Sequence, residues 1–321
     1  MARGAQEGDG RITCNGLVAG CSSRLWRMYS GCALILPSQL VRNCQKTPER
    51  KIWLESLPQL LNRLLAEWSL RLNPSFDHDG ACSWVAPVVR SDGTQAVLKL
   101  AMPHMEGKDE IRGLRYWGGH SIVKLLEADD DSGAMLLERC LPGTALRSQP
   151  EPEQDEIIAA VLKRIRGATP ETDALPGFRP LSQMIDLWCE ETLAQRHLWP
   201  DEGLVNEGLR VMKELARPAG GDVLLATDLH AGNVLRSERE PWLAIDPKPF
   251  VGDRAYDPVQ HLMNCEARLH RDPAGLVERV ADLTAVDPER LRLWTFARAA
   301  ADPREDWGNS LWLDIAAALA P

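Results

Sequence analysis

Apolar residues recur along most of this chain at the three- and four-residue steps of a helix, and in a few places they give way to the denser pattern of strands. Trp53, Leu57, Leu60, Leu61, Leu64, Leu65 and Trp68 make the first stripe, which predicts an amphipathic helix packed on a core. Ala81 to Arg90 and Thr94 to Ala101 are rich in β-branched and apolar residues around Ser91-Asp92-Gly93, the signature of a β-hairpin. Met105 to Trp117 is expected to be helical, with Ile111, Leu114 and Trp117 inward. Ser121 to Glu127 and Ala134 to Glu138 then read as two strands around the turn Asp129 to Gly133. Strand, strand, helix, strand, strand is the order of a small α+β lobe. Residues 151 to 220 predict three helices, marked by Ile157 to Ile165, Leu181 to Leu193 and Leu204 to Leu215. Asp287-Pro288 opens another helix, and residues 310 to 319 form the last.

Length and charge narrow the class. A chain of 321 residues, 44% hydrophobic, can bury one large core or two lobes with a cleft. No run approaches the roughly 18 apolar residues of a membrane helix. Residues 1–51 hold eight Lys or Arg against three Asp or Glu, so the rest of the chain carries 29 basic and 43 acidic groups. A nucleic-acid surface needs the opposite sign. An acidic cleft would attract a cationic small molecule, although acidity also serves plain solubility. The eight cysteines contain no Cys-x-x-Cys pair and are read as reduced thiols of a cytoplasmic protein. Residues 1–35 lack periodicity and are expected to be a disordered extension, or to precede a true start at Met28. Their short apolar segment, preceded by acidic residues, makes a poor signal peptide.

Candidate chemistry is concentrated between Leu224 and Asp257. Asp228 lies five residues before Asn233, the spacing at which a kinase catalytic loop places the Asp that accepts a hydroxyl proton and the Asn that ligates magnesium. Trp242 to Ile245 is a short apolar run that can pair with Asn233-Val234-Leu235, returning Asp246 beside Asn233. An amide oxygen and a carboxylate meeting there suit Mg²⁺. Each residue taken singly is also an ordinary turn former.

Together, Ala226-Thr227-Asp228-Leu229-His230-Ala231-Gly232-Asn233 and Ile245-Asp246-Pro247-Lys248 resemble the aminoglycoside phosphotransferases, especially the streptomycin 6-kinase and hydroxyurea phosphotransferase branch. That family usually has His-Gly where this chain has Ala226-Thr227, which puts loop rigidity in question. Val251-Gly252-Asp253-Arg254-Ala255-Tyr256-Asp257 is similar to the family's Gly-Asp-x-x-Tyr-Asp turn, where Asp253 would brace the metal loop or cap the next helix.

The resemblance implies a protein-kinase-like bilobal α+β fold, with a β-rich nucleotide-binding lobe over residues 36–139 and a helical lobe over 140–321. It implies ATP and Mg²⁺ as cofactors, Asp228 as the base, and Asn233 and Asp246 as metal ligands. Lys99, a charge in an apolar strand, would reach the phosphates. Glu110 would be its partner, with Glu106 and Asp109 as alternatives. Ser83 ends a loop, Asp79 to Ser83, that would cover the phosphates, though one glycine makes a poor cradle and a plain turn fits equally. Glu138 to Gly143 would, by its position, cross between lobes, with backbone there, at Glu138 and Cys140, meeting the adenine edge. Asp186, Glu190 and Glu191 could meet a cationic acceptor, or simply form a solvated helix face. His230, His261 and His270 make no ligand set. The implied activity is phosphorylation of an aminoglycoside such as streptomycin, with no nucleic-acid, membrane or protein partner. Hydroxyurea or another hydroxylated metabolite, and a catalytically dead nucleotide-binding module, are the alternatives.

Overall fold

The computed structural model of the chain describes residues 25–29, 32–73, 76, 80–167 and 177–321. Its elements fall into two units, residues 1–102 and 103–321.

In the first unit, β1 (Leu25–Tyr29) and β2 (Cys32–Leu36) pair antiparallel. Residues 25–29 and 32–35 of the expected extension fall in these strands, two five-residue, mostly apolar runs. The first 24 residues of that expected extension lie outside the described ones. Next come α1 (Ser38–Cys44) and α2 (Pro48–Glu67). Thr47 caps α2 by accepting the Arg50 N–H, Pro48 fits its first turn, and Trp53, Leu57, Leu61 and Leu64 form its buried side. β3 (Arg71–Leu72), β4 (Ser83–Val89) and β5 (Gln95–Ala101) follow as an antiparallel set. The predicted hairpin is present; Asp92 Oδ1 accepts the Thr94 N–H at 2.8 Å and Gly93 takes φ +85° in its turn. Ser83 lies opposite Ala101, and Lys99 opposite Val85.

The second unit opens with a 3₁₀ turn, Glu106–Asp109, running into α3 (Glu110–Trp117). β6 (Leu125–Asp129) and β7 (Ala134–Glu138) make the second predicted hairpin, but its first strand starts later than the expected Ser121. The backbone of residues 121–123 is used elsewhere: Val123 N–H donates to Ala244 O at 3.0 Å, and Ala244 N–H to Ser121 O at 2.9 Å. Helices α4 (Glu151–Gly167), α5 (Leu181–Ala194) and α6 (Glu202–Leu215) occupy the three predicted stretches. Four short strands follow: β8 (Val223–Leu225), β9 (Val234–Arg236), β10 (Trp242–Ala244) and β11 (Phe250–Gly252). The chain ends in α7 (Tyr256–Met263), α8 (Glu266–Arg271), α9 (Pro273–Thr284), α10 (Pro288–Ala301) and α11 (Leu311–Leu319). The division between units at Met102 and Pro103 groups α3 and the β6–β7 hairpin with the helices.

The helical core forms around Tyr256 and Trp294, whose rings meet edge to face at 4.9 Å. α6 and α10 approach so closely at Gly208 that an added Cβ would lie 2.6 Å from Ala300 Cβ. One buried carboxylate ties four helices together. Asp155 of α4, its side chain 0% exposed, accepts from Arg268 Nη1 and Nη2 at 3.0 and 2.6 Å, from Arg279 Nε at 3.0 Å, and meets His261 Nε2 at 2.9 Å. Burial works to raise its pKa, but these hydrogen bonds outweigh it and hold the carboxyl far below the usual carboxylate range. No helix among the described residues is long and apolar enough to cross a membrane.

Candidate active site

Two nested antiparallel pairs build the site. In the inner pair Val234 faces Ala244 and Arg236 faces Trp242; in the outer pair Leu225 faces Phe250 and Val223 faces Gly252. The chain leaves β8 through residues 226–233, returns along β9 and β10, and passes residues 245–249 before β11. Nesting therefore forces those two connectors side by side. Ile245 N–H donates to Asn233 O at 2.9 Å and Lys248 N–H to Ala226 O at 2.8 Å, clamping one connector to the other. Asp228, Asn233 and Asp246 all lie on them.

The bend that presents Asp228 is tight. Asp228 N–H reaches Ala226 O at 2.7 Å, with Thr227 at φ +48°. A β-branched residue is costly in that left-handed region, where the family's glycine would be free. Here the loop is braced otherwise. Thr227 Oγ1 donates to Lys248 O at 2.6 Å, and Thr227 N–H donates at 2.8 Å to Asp257 Oδ1. Asp257 is buried; burial raises its pKa against the opposing pull of Arg166 and these N–H groups. Asp253 serves the helices that follow it and not the 245–249 connector: it accepts the Ala255 N–H at 3.0 Å, the Trp294 Nε1–H at 2.7 Å and a guanidinium hydrogen bond from Arg290.

Asp228 keeps 16% of its side-chain surface exposed. Its Oδ2 receives Lys248 Nζ at 2.6 Å and its Oδ1 receives Gln260 Nε2 at 2.9 Å. Arg298 Nη1 donates to Gln260 Oε1 at 2.8 Å, which turns the amide NH₂ toward Asp228. Arg298 in turn is held by Asp302 through Nε at 2.9 Å and lies over the Trp188 and Tyr256 rings. Burial disfavours the Lys248 charge, but Asp228, Asp246 and Glu106 outweigh it and raise its pKa. His230, 3.8 Å from Asp228, is pushed down by burial despite that carboxylate.

Asp228 opens into a cavity of about 370 Å³ lined by Glu106, Glu191, Asp302, Trp188, Tyr256 and Met184 among others. Of the acidic residues singled out on the second helix, Glu191 lines it; Asp186 and Glu190 are exposed and are not part of this lining. Asp302 Oδ1 and the Tyr256 hydroxyl are buried with no hydrogen-bond partner among the described residues.

Asn233 donates Nδ2–H to Asp228 O at 3.0 Å, which leaves its amide oxygen for a ligand. Asp246, half-buried at φ +54°, follows Ile245 directly. Two hard oxygen donors on adjacent connectors fit Mg²⁺, which takes one or two protein ligands and keeps waters and phosphates for the rest. A second cluster, Asp155, His261 and Cys265, has metal-like spacing but does not fit a cation. Two guanidinium groups already occupy its carboxylate.

The remaining predicted residues sit as follows. Lys99 is 5% exposed and Glu110 3% exposed, and Ser83 opens β4. Glu110 begins α3, which packs onto the 245–249 connector: a Cβ at Gly113 would lie 2.4 Å from Pro249 Cγ. Glu138 ends β7, its carboxylate gripped by Arg239 Nη2 at 2.7 Å and Nε at 3.0 Å. Cys140 is buried, and burial together with Glu138 pushes its thiol up to about 11. Lys248, Gln260, Arg298 and Asp302 were not singled out from sequence. Gln260 and Arg298 look like ordinary amphipathic-helix polar residues and Asp302 like a residue that ends a helix, but Lys248, two positions after Asp246 in the same motif, was within reach.

Comparison with known proteins places this geometry. A model of the aminoglycoside/hydroxyurea antibiotic resistance kinases matches residues 68–304. Streptomycin 6-kinase of Streptomyces glaucescens is 37% identical over 85% of this chain and 89% of its own length. Hydroxyurea phosphotransferase of Kitasatospora aureofaciens is 31% identical over 96% of this chain and 88% of its own. The choline kinase structure from Streptococcus pneumoniae superposes with a TM-score of 0.51 at 16% identity, covering 80% of this chain and 90% of that one, so the fold is protein-kinase-like. The chain belongs to the aminoglycoside/hydroxyurea antibiotic resistance kinase family.

Proposed function

We propose that this enzyme transfers the γ-phosphoryl group of ATP to a hydroxyl of an aminoglycoside, streptomycin foremost, and so confers resistance in the cytoplasm, where ATP is found. The observation that carries the reading is a single one: Asp228, on the connector beside Asn233 and Asp246, opens into a cavity with acidic and aromatic walls. Glu106, Glu191 and Asp302 suit guanidinium or amino groups, and Trp188 and Tyr256 suit the faces of a ring system or cation. About 370 Å³ is roomy for hydroxyurea and of the size that small-molecule sites usually have.

In this reading Asp228 accepts the proton of the acceptor hydroxyl as its oxygen attacks phosphorus, and ADP leaves with the bonding pair. Asn233 and Asp246 would hold Mg²⁺, which supplies charge neutralisation at the phosphates. Lys99, with Glu110 as counter-charge, and the loop ending in Ser83 would serve the phosphates; the backbone of Glu138 to Cys140 would serve the adenine. Orientation and fixed charge then supply most of the rate.

The test is a resistance assay in a streptomycin-sensitive host, comparing the parent with Asp228→Ala, beside an ATP-consumption screen over aminoglycosides and hydroxyurea. Protection by the parent alone is the expected result. Turnover with hydroxyurea and none with any aminoglycoside would reassign the acceptor.

A further inference from the structure

Lys248 has no assigned part in the chemistry, yet it sits closer to the proposed base than any other cation on the two connectors. Its Nζ lies 2.6 Å from Asp228 Oδ2 and 3.8 Å from Glu106 Oε2. Its own backbone is fixed at both ends, the N–H on Ala226 O and the carbonyl under the Thr227 hydroxyl. The ammonium is thus a positioned charge, not a mobile surface lysine.

An acceptor hydroxyl that hands its proton to Asp228 must approach the same carboxylate that Lys248 touches. The phosphoryl group moving to that hydroxyl then passes beside the ammonium. Charge in this transfer spreads over three equatorial phosphoryl oxygens and is stabilised by fixed cations around them. The ammonium is hydrogen-bonded to Asp228, with Glu106 a longer second carboxylate contact, and all three side chains line the cavity.

We propose that Lys248 is a second catalytic residue, whose ammonium leaves Asp228 for the transferring phosphoryl group and stabilises its oxygens as the bond to the ADP oxygen breaks and the bond to the acceptor oxygen forms. The acceptor proton goes to Asp228, and Lys248 keeps its own protons throughout. This rests on the phosphotransferase reading above.

The experiment compares the parent with Lys248→Met and Lys248→Gln by calorimetric binding of ADP and of ADP with aluminium fluoride in the presence of streptomycin, together with steady-state kinetics. Expected are ADP affinity within about threefold of the parent, aluminium fluoride complex affinity lower by about 100-fold, and kcat lower by about 100- to 1,000-fold. Parental affinity for the fluoride complex would overturn the proposal. So would equal losses for ADP and the fluoride complex, or failure of both neutral variants to fold, each of which makes Lys248 structural. If the parent itself phosphorylates nothing, the phosphotransferase reading fails and the Lys248 proposal with it, whereas an active parent with any of the outcomes above overturns the Lys248 proposal alone.

Discussion

Two carboxylates of the helical unit, buried Asp155 and half-buried Asp228, are each held by cations and hydrogen-bond donors, yet they differ in what they have left over. Asp155 is wholly enclosed and receives two guanidinium groups and an imidazole, so both oxygens are saturated. Asp228 meets one ammonium and two amides, Gln260 at 2.9 Å and Asn233 at a long 3.4 Å, keeps part of its surface open, and faces a cavity. Saturation makes a lock, whereas a carboxylate left partly open suits the role of base proposed for Asp228. The difference cannot be seen in the residue type.

The comparison is broken most sharply by neutralising each carboxylate in turn. Asp228→Asn should lower kcat by about 100- to 10,000-fold with the melting temperature nearly unchanged. An active variant with lowered stability would mean that Asp228 is a second lock. Asp155→Ala should cost about 3–5 kcal/mol in urea unfolding, because two arginines lose their buried partner. The pH dependence follows in sign. The folded Asp155 carboxyl is held below its unfolded value, so its contribution is complete above about pH 4 and is lost as the solution is acidified further. The parent should therefore lose more stability between pH 5 and pH 2, taken as a rough window, than Asp155→Asn does.

Smaller effects sharpen the account of how Asp228 is aimed. Gln260→Ala removes the amide at Asp228 Oδ1, and a kcat lower by about tenfold with unchanged ATP KM is expected from misorientation. At Thr227 two terms oppose each other. Thr227→Val keeps the branched side chain at positive φ and loses the hydroxyl bond to Lys248 O, a cost of about 1 kcal/mol. Thr227→Gly also loses the bond but relieves the conformation, so chemical denaturation should find it more stable than the valine variant.

The sequence made Asp228, Asn233 and Asp246 legible because they lie within one short stretch whose apolar runs announce the inner hairpin. The α2 stripe and the β4–β5 hairpin were legible for the same reason, since a local pattern decides each. What was not legible comes from long range. Gln260 reaches Asp228 from α7, Arg298 of α10 holds Gln260, and Asp302 just past α10 holds Arg298, and nothing in an amphipathic pattern says which polar face will meet that carboxylate. The late start of β6 has a similar cause, since residues 121–123 spend their backbone bonds on Ala244. The missing His-Gly suggested a slack loop; Asp257 and the Thr227 hydroxyl supply the bracing instead, contacts that only folding creates.

The most direct test is mass spectrometry of streptomycin after incubation with Mg-ATP and either the parent or Asp228→Asn, each first shown to be folded. The account predicts a phosphorylated product with the parent and essentially none with the variant. Product formed at equal rates by both would contradict it.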